Sequence, residues 1–302
     1  MHSLLLVFAL LFASGNIKGP EDMDKSFQSL KEAQAKNDAV QVKTLALETY
    51  AIAQELAAAP APADATEKDA WKQQVEYAKS VETQTEYAVY VTAIEAAPAT
   101  TLDLFTTLQQ LNAASKYVDM GAGRYFYALS QAGAAAKIPA AAEKILARFP
   151  NNDEALIVLA DAAMTKKQND RAIALADRLV NAMKRPKPEG ETAADWERRK
   201  TTGLGRGYWI AGVLRAEKEQ YFKANEDLRA SLPFIKGNEA MAGPALFYLG
   251  LVNYQLGKQT LNRAQVREAA KFSEEAAAIK GPYADQAYHN ALVMKAEAER
   301  LR

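Results

Sequence analysis

Apolar residues recur at intervals of three and four along most of the chain, the spacing that lays one buried stripe on a helix, and no run of alternating β-branched residues suggests a strand. The pattern predicts helices over 24–36 and 39–59, parted by Asn37-Asp38, with Asp38 as the N-cap of the second. Pro60-Ala61-Pro62-Ala63-Asp64 then breaks the periodicity, because neither proline can continue a helix, and predicts a surface loop. A longer helix follows to about Ala97, with Thr66 as its cap. Its far end carries Tyr87, Tyr90, Val91 and Ile94 at i, i+3, i+4 and i+7, which reads as a core stripe. Pro98 closes it, Thr100 or Thr101 caps the next helix through Leu102, Phe105, Leu108 and Leu111, and shorter helices follow around Tyr125 and over 139–149.

Three stretches of the second half carry a pattern of small and large residues. The first is Leu246-Phe247-Tyr248-Leu249-Gly250 running on to Tyr254, Leu256 and Gly257, followed by Ala270, Ala277 and Pro282. An earlier stretch supplies Tyr208, Gly212, Tyr221, Ala224 and Leu232, with Glu219 where a glycine would end the first helix. Another begins at Asp153 with Ala155, Leu156, Leu159, Ala160 and Ala172, after the turn Phe149-Pro150-Asn151-Asn152. Small residues belong where two helices cross closely, and bulky ones a turn away fill the groove. On these residues the segment 119–302 resembles the tetratricopeptide repeat family, in which antiparallel helix pairs of about 34 residues stack into a solenoid. The resemblance implies an all-α fold of stacked hairpins, a protein-binding role and a concave face lined by first helices. The matching inward positions are Ile157, Asp161, Trp209, Val213, Phe247 and Leu251. That set lacks the Lys, Asn and Arg with which one subgroup of the family grips a C-terminal carboxylate. The face reads as apolar, so it either receives a hydrophobic segment of a partner or is covered by the N-terminal helices. Trp209, Arg206, Tyr254 and Phe247 are the candidate partner contacts. The gap between 257 and 270 is about eight residues longer than the family pattern, and the segment 184–195, with Pro186, Pro188 and Gly190, lengthens another connection.

Composition narrows the chemistry. Basic and acidic residues both number 37, so no global field draws the chain to nucleic acid or to an anionic surface. There is no cysteine, which removes disulfides and thiolate sites, and His2 and His289 are the only histidines, which leaves hydrolytic machinery without its usual base. Gly203-Leu204-Gly205-Arg206-Gly207 has the look of a phosphate loop, but no strand precedes it and no Lys-Ser or Lys-Thr follows, so it reads as a flexible approach to the helix of Tyr208 and Trp209. The basic residues Lys184, Arg185, Lys187, Arg198, Arg199 and Lys200 alternate with acidic ones and read as a solvated loop and helix face. No cofactor, metal or catalytic set is expected.

At the start, Leu4 to Ala13 is an unbroken apolar run followed by Ala13-Ser14-Gly15, the arrangement of a signal peptide cleaved after Gly15, although Met1-His2-Ser3 brings no Lys or Arg. The run is shorter than the ~20 residues of a spanning helix, so no lasting membrane span is expected. The reading that emerges has a signal peptide at 1–15, a less regular helical region at 16–118 and a repeat array at 119–302. Its expected function is that of a periplasmic or secreted scaffold that joins proteins in a bacterial envelope. A carboxylate enzyme or sugar-binding protein on a helical scaffold, and a self-associating structural protein, are the alternatives.

Overall fold

The computed structural model describes residues 19–188 and 190–301, and the predicted signal segment lies outside the described residues. Those residues form fourteen α-helices and no strand, so the fold is all-α. The chain divides into two compact units between Lys137 and Ile138. The helix around Tyr125 lies in the first unit.

The first unit contains α1 (Pro20–Ala35), α2 (Ala39–Ala57), α3 (Lys68–Glu95), α4 (Pro98–Leu111), α5 (Lys116–Met120) and α6 (Ala122–Gln131). Pro20 at the first helical position and Glu21 and Asp22 in the first turn start α1, and the Asp22 carboxylate accepts from the Gly19 N–H at 2.9 Å. Asp38 caps α2 by accepting from the Gln41 N–H at 3.1 Å. Met23, Phe27 and Leu30 bury one face of α1 against α2, where the Ser26 and Thr49 hydroxyls satisfy each other at 2.8 Å. Two expected caps are not caps. Thr66 turns back to Asp64, whose carboxylate takes both its N–H and its hydroxyl, and α3 begins after it at Lys68. Pro98 itself opens α4, and the Thr101 hydroxyl donates to the Ala93 carbonyl at 2.9 Å, tying the start of α4 to the end of α3.

The second unit runs through α7 (Ile138–Arg148), α8 (Asp153–Thr165), α9 (Asn169–Met183), α10 (Ala193–Glu217), α11 (Tyr221–Ser231), α12 (Glu239–Gln259), α13 (Arg263–Ala277) and α14 (Ala284–Arg300). Each helix packs against the next, and α8, α10, α12 and α14 also meet one another in order, as the first helices of a stack of antiparallel hairpins do. Glycines set the close crossings. A Cβ on Gly212 of α10 would lie 2.7 Å from Leu228 Cγ and 3.0 Å from the Leu228 backbone nitrogen, so only glycine lets α11 approach there. Gly250 meets Ser273 of α13 in the same way.

One turn geometry recurs at four hairpins. Asn37, Lys167, Glu219 and Leu261 have φ of 52°, 55°, 59° and 50°, the left-handed region that ends helices. In each case the following N–H reaches back five residues: Asp38 to Ala33 O at 3.0 Å, Gln168 to Ala163 O at 2.9 Å, Gln220 to Arg215 O at 2.9 Å and Asn262 to Gly257 O at 2.7 Å. These bonds satisfy carbonyls that a helix end leaves without partners. Two expectations fall here. Gly257, which stands where the family pattern has the glycine that ends the first helix, does not end its helix; it lies buried against Val266, and the terminating position belongs to Leu261. The residues expected as a longer loop after Gly257 instead extend α12 to Gln259 and start α13 at Arg263.

Candidate functional site

The first helices of the second unit present the surface where the candidate contacts were expected. α10 is flanked by α8, α9, α11 and α12, so few of its side chains between 203 and 214 reach solvent. Arg206 does, and its guanidinium donates through Nε and Nη2 to Asp161 Oδ1 on α8 at 2.9 and 2.6 Å. The same guanidinium stands 4.9 Å from the Trp209 ring centre, within cation–π range. The buried Trp209 ring donates its Nε1–H to the Met241 carbonyl of α12 at 2.8 Å. A carboxylate, a guanidinium and an indole thus lock α8, α10 and α12 to one another. Further along the same two helices, Tyr248 of α12 donates to Glu217 of α10 at 2.9 Å. Burial, then the Glu217 carboxylate, raises the Tyr248 hydroxyl well above the ordinary tyrosine range, so it stays a donor.

The four candidates are not one site. Arg206 and Trp209 come together, while Phe247 is buried among Ala276, Ala287 and Tyr283, its ring centre 4.7 Å from that of Tyr283. Tyr254 is half-buried against Ala269, Ala270 and Met294, with Lys258 Nζ 5.2 Å from its ring. The expected apolar groove is not open: Trp209, Val213 and Phe247 are buried, with α12 supplying the Trp209 acceptor and α13 and α14 the packing around Phe247. What remains half-buried or exposed is Asp161, Arg206, Glu217, Tyr248 and Tyr254, with the aliphatic Ile157 and Leu251 half-buried beside them.

The glycine run at 203–207 is neither a phosphate loop nor a flexible approach. It lies inside α10, where a Cβ on Gly203 would strike Met183 Cγ at 2.6 Å and one on Gly207 would lie 2.8 Å from Val180 Cγ2, both on α9. The run serves helix crossing. The helical half of the neighbouring basic cluster is matched internally, since Arg199 binds Asp153 and Glu191, Arg198 binds Asp195 and Lys200 binds Glu197.

The first unit holds a surface that sequence reasoning placed in the core. The buried stripe of α3 runs through Val81, Thr85, Ala88, Val89 and Thr92, and the tyrosines flank it. Tyr87, 46% exposed, and the half-buried Tyr90 both pack on Tyr117 of α5, with ring centres 5.5 and 5.4 Å away. Beneath them the buried Glu86 carboxylate accepts from Tyr50 Oη at 3.2 Å, Asn112 Nδ2 at 3.0 Å and Ser115 Oγ at 2.6 Å, and Ser115 in turn caps α5. Glu86 therefore fixes the short helix that carries Tyr117. Burial, then the Glu86 carboxylate, lifts the Glu82 carboxyl above the ordinary glutamate range. The available signal was the choice of tyrosine over leucine along the stripe, since a phenol wants water or a partner at its tip.

The sequence matches no known protein-family model and no curated protein. Function must therefore be read from the geometry. Among the described residues, no group of three or more His, Cys, Asp or Glu is placed to hold a metal ion, and no helix is long and apolar enough to cross a membrane.

Proposed function

We propose that the chain is an exported helical-repeat scaffold, similar to tetratricopeptide arrays, whose work is to bind other proteins in a bacterial envelope. The observation that carries this reading is the hairpin turn that recurs after α8, α10 and α12, together with the contacts among first helices that it aligns. Such a stack holds a row of side chains at fixed spacing, which suits an extended partner better than a small molecule. The contact row is Asp161, Arg206, Glu217, Tyr248 and Tyr254: charges already oriented by their neighbours, beside aromatic rings with a polar tip. Export rests on the apolar run at 4–13 and the small residues before Asn16.

The test is capture from envelope fractions by the chain beginning at Asn16, beside a Tyr248→Ala, Tyr254→Ala variant whose helicity is checked by circular dichroism. A partner held by the parent and released by the variant supports the reading. Equal retention by both, or no partner for either, removes it. Mass spectrometry of the exported protein decides the leader: an N-terminus at Asn16 is expected, and one at Met1 argues against cleavage.

A further inference from the structure

We infer that the tight-turn edge of the second unit is a docking surface for an anionic lipid bilayer. The turns after α8, α10 and α12 lie side by side, because Lys218 Nζ reaches Asp170 Oδ1 of the preceding hairpin at 2.6 Å, and Tyr221 and Phe222 share a shallow cleft with Leu256 and Gln259 of the next. Two apolar side chains protrude from this edge. Phe222 is 67% exposed and Leu261 is 71% exposed.

Leu261 is costly twice. Its Cβ sits at φ 50°, where glycine or asparagine is at ease, and its side chain adds nothing to the core. Folding does not call for leucine there, and a partner does. The charge around it points to which partner. Residues 165–171, 217–223 and 259–265, each running from two residues before the left-handed residue to four after it, hold six cations and three anions, in a chain whose totals balance at 37 each. The two arginines, Arg171 and Arg263, are turned to Glu143 and Glu299, and Lys218 to Asp170, so the cations left at the edge are the lysines Lys166, Lys167 and Lys223. Lysines are point charges on flexible stems, suited to the diffuse field of a headgroup layer, whereas bidentate recognition of a protein carboxylate favours arginine. Single apolar tips set among lysines fit shallow insertion at the acyl boundary. A protein interface would centre on a contiguous apolar core instead.

The experiment is flotation of the full chain, with and without residues 1–15, on vesicles of phosphatidylcholine alone or rich in phosphatidylglycerol. Binding to the phosphatidylglycerol vesicles, with or without residues 1–15 and weakened by salt, is expected. Phe222→Ser with Leu261→Asn should weaken it about tenfold or more. Lys167→Glu with Lys223→Glu should weaken it by about fivefold or more per charge. All four positions are exposed, so circular dichroism should not change. Equal binding to both vesicle types, binding lost with residues 1–15, or binding untouched by either variant overturns the inference. So does retention on immobilised polyglutamate without vesicle binding, which would assign the edge to an acidic protein.

Discussion

The two ends of the hairpins in the second unit are built on opposite principles. At one end, after α8, α10 and α12, the chain reverses in a three-residue turn with one left-handed residue and one bond reaching back five residues. At the other, before α8, α10, α12 and α14, the connections are longer, vary in length and contain Pro150, Pro186, Pro188, Pro233 and Pro282. The long connections fold large side chains inward: Phe149, Phe234, Ile279 and Tyr283 are half-buried and Ile235 is buried. The tight turns hold Phe222 and Leu261 out. Backbone hydrogen bonds fix the shape of one edge, so its side chains are available for a partner. Side-chain burial fixes the other, so its side chains are committed to the core.

The largest test attacks the crossing that makes a tight turn possible. Gly212→Val places new methyl groups against Leu228 and its backbone, and neither helix can yield without opening the hairpin. A loss of about 3 kcal/mol is expected in thermal and urea unfolding. Gly281→Ala, in the long connection before α14, meets nothing within 4 Å and should cost no more than about 0.5 kcal/mol. Equal losses would show that the two ends are not built differently.

A pair of phenylalanines sharpens the contrast. Phe234 lies against Gly205 of α10, its Cβ 3.1 Å from where a glycine Cβ would stand. Phe234→Ala should therefore cost about 2 kcal/mol, below the usual range for a core phenylalanine because the ring is only half-buried. Phe222→Ala should change stability by about 0.5 kcal/mol or less, while weakening vesicle binding. Were Phe222→Ala the more damaging to unfolding, the exposed edge would be a folding element.

The sequence made the helices legible because their apolar period is strong, and it showed the pairing because small residues mark crossings such as Gly212 and Gly250. It did not show where glycine acts as a crossing residue and where as a terminator. Gly257 and the run at 203–207 look alike in one dimension, and only the neighbours Val266, Met183 and Val180 tell that both lie inside helices. The candidate site was half legible. Arg206 and Trp209 are together, but the burial of Phe247 depends on α14, whose packing no local pattern reports. The tyrosines of α3 were misplaced for a related reason: periodicity finds a stripe without saying which of two adjacent stripes faces inward, and the small Ala88 and Val89 won.

An ion pair tests the committed edge again. Arg199 Nε donates to the buried Asp153 at 3.1 Å, and its Nη1 donates to Glu191 in the connection before α10. Arg199→Met keeps the stem packing and leaves Asp153 buried without its cation. Because the guanidinium is partly exposed, screening brings the cost below that of a fully buried pair, to about 2 kcal/mol. Lys218→Met, across the exposed edge, should cost about 0.5 kcal/mol or less. Thermal unfolding of the two variants side by side decides it, and similar losses would remove the distinction.

The smallest effect has the opposite sign. Leu261→Gly relieves the left-handed strain, worth about 1–2 kcal/mol, and gives back part of it because glycine frees the unfolded chain. A net gain of about 0.5–1 kcal/mol is expected, read as a raised urea midpoint. Leu261→Ala keeps the Cβ and should gain nothing, and Asn37→Gly, at a residue that tolerates this conformation, should stay near zero. The same Leu261→Gly variant should bind phosphatidylglycerol vesicles less well. A side chain whose removal strengthens the fold and weakens docking is held there by its partner, whereas loss of stability on removal would mean that Leu261 belongs to the fold after all.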